Sequence, residues 1–138
     1  MTNVLKMFDT VSSSESGAWL HLVMPGTEEK AYADGDKQKK PMRIQLKGPD
    51  SDAWTVFQRK AMKSQGKDKT HEETVLEDAK LFAKMTLGFD NIPNDDGSVM
   101  AFTYESALKL YINYKDIRMQ ALRFVMSQEN FTKAQEKS

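Results

Sequence analysis

Two histidines, His21 and His71, are the only imidazole bases in a chain of 138 residues that has no cysteine. The missing thiols exclude a thiolate nucleophile, a disulfide framework and any cysteine-held zinc, haem or iron–sulfur centre. His21 alternates with Leu20 and Leu22, the pattern of an outward-facing strand residue, and His71 falls in the first turn of a helix. Neither lies near a nucleophile pattern. There is no Gly-x-Ser-x-Gly elbow, and the seven glycines are too dispersed for a dinucleotide fingerprint or a phosphate loop. Paired carboxylates occur at Glu28 and Glu29, Glu72 and Glu73, Glu77 and Asp78, and Asp95 and Asp96. Sequence neighbours diverge on a helix, and nothing apolar surrounds the loop pair, so no source is evident for the raised pKa of a general acid. The acidic stretch from Asp90 to Ser98 fails as a calcium loop. With Gly97 as the sixth position, the first and twelfth ligands would be Ile92 and Thr103, which carry no carboxylate. Asp96-Gly97 therefore predicts a turn. These residues point away from an enzyme and require neither cofactor nor metal.

The elements that position them belong to one domain spanning 1–138, with 1–16 and 132–138 expected to be flexible. Lys plus Arg and Asp plus Glu are 20 each, and a net charge of zero argues against disorder. The opening residues are broken by Lys6 and Asp9, leaving no export signal. The longest early stretch free of charge, Ser16 to Thr27, is shorter than the roughly 20 apolar residues that span a bilayer, so no membrane contact and a cytoplasmic location are expected. Zero net charge hides a division, with residues 1–36 at minus 4, 37–69 at plus 7 and the remainder at minus 3. The central band could face nucleic acid or an acidic protein. The favoured reading is a solvated face balanced in space by the acidic flanks, with no nucleic-acid partner.

A strand is predicted around Gly17 to Met24, closed by Pro25-Gly26, and a second where Met42, Ile44 and Leu46 alternate with Arg43, Gln45 and Lys47. Together they predict an antiparallel hairpin whose connection, Gly26 to Pro41, is exposed and mobile, as is the Ser12 to Ser16 run. Helices follow. Asp50 or Ser51 caps one through Lys63, with Ala53, Trp54, Phe57 and Ala61 on its inner arc. Thr70 and Glu73 form a capping box for a helix to about Leu87, with Val75, Leu76, Ala79, Phe82 and Ala83 inward and Gly88 as its stop. A loop follows, with Val99 to Phe102 a short extended piece. Thr103 caps a helix burying Tyr104, Ala107, Leu108, Tyr111 and Tyr114, and a last helix from about Asp116 to Gln128 buries Ile117, Ala121, Phe124 and Val125. The fold class is α+β: an N-terminal antiparallel β-hairpin followed by about four packed α-helices.

Nine methionines make binding surface the remaining candidate, because methionine supplies adaptable apolar contacts. Met119 and Met126 fall opposite Ile117 and Phe124 on the last helix, and Leu81 and Met85 sit beside the main arc of the Thr70-capped helix. These four are the candidate partner-binding residues. A central helix that buries two faces accounts for them equally well.

Between Leu87 and Phe131 the order of features resembles the tail assembly chaperones of long-tailed bacteriophages. The features are Gly88-Phe89, Asn91-Ile92, the turn Asp95-Asp96-Gly97 and the run Ala101-Phe102-Thr103-Tyr104-Glu105-Ser106-Ala107, then Leu110-Tyr111, Ile117-Arg118, Phe124 and Asn130-Phe131. The run covers about a third of the chain. The resemblance implies a non-enzymatic protein of the host cell cytoplasm that binds the tape measure protein, keeps it soluble and helps bring tail tube protein to it. It leaves before the virion matures. It further implies a longer frameshift product as a partner, and the apolar strips permit a homo-oligomer. Phe102, Tyr104, Ala107, Tyr111 and Tyr114 read as core that fixes the helices. A structural head–tail or tail subunit retained in the virion is the competing reading.

Overall fold

The computed structural model describes residues 5, 8–63 and 69–136. Three antiparallel strands, β1 (Ala18–His21), β2 (Arg43–Leu46) and β3 (Thr86–Asp90), form a sheet in the order β1-β2-β3. Among the described residues six α-helices accompany it: α1 (Thr10–Ser16), α2 (Asp52–Lys63), α3 (His71–Met85), α4 (Tyr104–Asn113), α5 (Lys115–Val125) and α6 (Glu129–Glu136). This is an α+β fold in which the predicted hairpin is present as β1 and β2, in register Leu20 to Ile44 and Ala18 to Leu46. Ala18, Ile44 and Leu46 are buried and Leu20 packs against the core, as the period of two requires.

The third strand replaces the expected helix stop and loop. Residue 85 ends α3, and Thr86 enters β3 directly, pairing with Leu46 across a bulge. Gly88 lies within this strand opposite Gln45. The Thr86 hydroxyl donates to the Phe82 carbonyl at 2.7 Å, satisfying one of the orphan acceptors at the helix end.

The Ser12 to Ser16 run is helical rather than loose. Asp9 accepts from the Ser12 amide at 3.0 Å and the Ser12 hydroxyl at 2.7 Å, which holds its carboxyl below the usual range and starts α1. Ser13 and Ser14 are buried. At the end of α1, Gly17 has φ +78, and a Cβ there would stand 2.7 Å from the Leu46 carbonyl oxygen and from Leu87 Cδ1. Only glycine fits that corner. The Gly26 to Pro41 connection also departs from expectation, because Ala31 is buried and exchanges backbone hydrogen bonds with Leu22 and Met42.

Capping follows the sequence. The Ser51 hydroxyl accepts from the Trp54 amide, and Thr70 accepts from the Glu73 amide, which is half of the expected capping box; the full reciprocal box is formed by Thr103 and Ser106. On α4 the core residues are Ala107, Leu110 and Tyr111. Phe102, Tyr104 and Tyr114 are exposed, a correction to their assignment as core. Leu76 on α3 and Ala61 on α2 are likewise exposed. On α5, Arg118 and Gln120 are buried with Ala121 and Val125, while Ile117 and Phe124 are half-buried. α6 continues past Phe131, whose fully buried ring meets Phe124 edge-on at 5.4 Å.

Candidate functional site

Four positions were predicted as partner surface, and the structure divides them. Met85 is fully buried and cannot present a surface; it faces the core where α3 meets the sheet. Leu81 is also buried in the core cluster, although its edge reaches the floor of a groove. Met119 is 37% and Met126 64% exposed, two turns apart on one side of α5. The two pairs therefore do not make a common strip. A central helix that buries two faces explains Leu81 and Met85.

A groove of about 790 Å³ lies between α2 and α3. Ala53, Val56, Phe57 and Ala61 line it from α2, and Leu81 lines it from α3. Of the twelve residues of α2 only Trp54 is buried. Its apolar arc is thus half covered, and Val56 remains 44% exposed. The Lys47 amide donates to the Met85 carbonyl at 2.8 Å, which sets the start of α2 beside the end of α3.

Five lysines, Lys47, Lys60, Lys69, Lys80 and Lys84, rim this groove against Asp52, Glu77 and Asp78. Lys47 pairs with Glu15 at 3.3 Å and Lys69 with Glu77 at 2.7 Å. Among the described residues Lys60, Lys80 and Lys84 have no ion-pair partner. Burial pushes the Asp78 carboxyl up, against the opposing pull of Arg118. Lys47, Lys60 and Lys69 belong to the central basic band, and the apolar arc of α2 was legible in sequence. Their meeting with Lys80 and Lys84 was not, since it depends on how α2 and α3 face each other.

A smaller hollow of about 380 Å³ lies between the start of α3 and the α4–α5 corner, lined by His71, Val75, Ile112, Lys115 and Arg118. Arg118 donates to the Tyr111 carbonyl at 2.7 Å, across the α4–α5 junction. The outer sheet face carries Trp19, with the Arg43 guanidinium 5.0 Å from its ring centroid. Arg43 also bonds Asp90 on the neighbouring strand. His21 Nε2 lies 2.9 Å from the Ala31 carbonyl and its ring meets Tyr32 edge-on, an arrangement that orients it within the strand connection.

Glu77 is bound by Lys69, and Asp96 accepts from the Ser98 hydroxyl at 2.6 Å and its amide at 2.9 Å, which lowers its pKa and closes the predicted turn. Among the described residues no three histidine or acidic side chains come together in a way that could hold a metal ion. Among the same residues no helix is long and apolar enough to cross a membrane. No protein-family model matches the chain, and neither curated proteins nor solved structures give a significant match.

Proposed function

We propose that this chain is a non-enzymatic tail assembly chaperone of a long-tailed bacteriophage. It binds the tape measure protein through exposed apolar surface, keeps it soluble in the host cytoplasm and helps bring tail tube protein to it, leaving before the virion is complete. The observation that carries this reading is the lysine-rimmed apolar groove between α2 and α3, a surface suited to holding a partner chain by its apolar side. The Leu87 to Phe131 resemblance adds to it. Ile92, Ala107, Tyr111 and Phe131 of that run lie in the core, so the run supports a frame and leaves client contact to other faces. Exposed Met119 and Met126 supply a second adaptable patch.

Co-expression with the tape measure protein of the same genome tests this. Size-exclusion chromatography with light scattering on the soluble fraction is expected to give a co-eluting complex. If the tape measure protein stays insoluble while this chain runs alone, the chaperone reading fails. Finding the chain in purified virions would then favour the structural-subunit reading.

A further inference from the structure

The groove between α2 and α3 has a definite chemical character. Its floor is apolar, through Ala53, Val56, Phe57 and Leu81, and its rim holds five lysines against three carboxylates. Two of those lysines are engaged with Glu15 and Glu77, leaving Lys60 on one wall and Lys80 and Lys84 on the other without an ion-pair partner among the described residues. These three lysines on opposed walls outnumber the unpaired rim carboxylates Asp52 and Asp78, and with the apolar floor they are complementary to a ligand with one apolar stripe flanked by negative charge on both sides.

The walls restrict the shape of that ligand. Both are α-helices whose backbone amides are occupied within the helix, so an extended peptide would find no edge to pair with, whereas a helix satisfies its own backbone. α2 has twelve residues, about 18 Å at the usual rise, which gives room for roughly three turns of a ligand helix.

We propose that the α2–α3 groove docks an amphipathic α-helix whose apolar stripe is flanked by Asp or Glu, with Val56 and Phe57 taking the stripe and Lys60, Lys80 and Lys84 taking the carboxylates. This names the client chemistry of the groove described above and rests on the reading of that groove as the client site.

Fluorescence anisotropy with a labelled amphipathic peptide of about 15 residues tests it on the full chain. The Glu-flanked peptide is expected to bind about tenfold or more tightly than a Lys-flanked peptide with the same apolar stripe, and the difference is expected to shrink as salt screens the charges. The combined Lys60→Glu, Lys80→Glu, Lys84→Glu variant alters only exposed side chains and is expected to reverse the preference. Val56→Asp is expected to abolish binding of both peptides, while Arg123→Glu, outside the groove, leaves binding unchanged. Equal affinity for the two peptides, or a preference untouched by the triple substitution, overturns the proposal. Displacement of bound peptide by dodecanoate together with a fatty-acid affinity exceeding that of the peptide also overturns it, since the occupant would then be a small amphiphile. The two readings fail separately. A soluble tape measure complex that survives Val56→Asp would leave the chaperone function standing and remove the groove as its site, and an insoluble tape measure protein beside intact peptide binding would do the opposite.

Discussion

The hydroxyls of Thr86 and Tyr111 lie 2.7 Å apart inside the core, joining the point where α3 becomes β3 to the last turn of α4. Because the Thr86 hydroxyl also donates to the Phe82 carbonyl, it accepts from the phenol, and Tyr111 is satisfied while fully buried. Tyr111 also stacks at a tilt on Phe82 with ring centroids 5.8 Å apart, so one residue couples α3, α4 and the sheet.

Tyr111→Phe keeps the ring and removes that bond. Thr86 retains its carbonyl partner, so the loss is that of one buried hydrogen bond, about 1 kcal/mol in chemical denaturation at neutral pH. Burial pushes the Tyr111 phenol far above the usual tyrosine range. The folded state therefore holds a proton that the unfolded state releases near pH 10, and stability contributed by this group falls as pH rises above that value. Unfolding midpoints measured between about pH 9 and 11 are expected to decline less steeply in Tyr111→Phe than in the unchanged chain.

Gly48 is required by close approach. A Cβ there would lie 2.7 Å from Ser14 Oγ and 2.8 Å from Phe131 Cγ, where α1 and α6 converge two residues past β2. The Phe131 ring is fully buried and Ser14 Oγ is held by the Asp50 amide at 3.0 Å, so neither can yield cheaply. Gly48→Ala is expected to cost about 1–3 kcal/mol, read from urea midpoints. Protease cleavage near the C-terminus should rise with it as α6 loosens.

Asp78 is half-buried beside the groove, and desolvation raises its pKa despite Arg118 nearby. An acid whose folded pKa is raised is most favourable to folding when protonated, and its contribution declines as pH rises through the folded value. Asp78→Asn is therefore expected to be more stable than the unchanged chain at pH 7 and equal to it near pH 3. Thermal unfolding at the two pH values checks the sign.

Ser51 starts α2. Its hydroxyl accepts from the Trp54 amide and donates to the Gly48 carbonyl at 2.7 Å, with the side chain wholly buried. Ser51→Ala is expected to cost about 1–2 kcal/mol by circular dichroism in denaturant. Because α2 forms one wall of the groove, the substitution should also weaken binding of the Glu-flanked peptide.

Local chemistry was legible in the residues: alternation at Met42, Ile44 and Leu46, caps at Ser51, Thr70 and Thr103, and the turn at Asp96-Gly97 each depend on neighbours a few positions apart. What escaped depends on partners distant in the chain. Thr86 to Asp90 becomes a strand because β2, some forty residues earlier, offers a free edge. α1 and α6 bury Ser14 and Phe131 where they meet at Gly48. Gln120 is buried because its amide bonds both the amide and the carbonyl of Val23, at 2.9 Å each. The groove is of the same kind. Its apolar arc and its lysines were visible as separate features, and the facing of α2 and α3 brought them into one surface, since charge and apolar area become a site only when long-range contacts set them side by side.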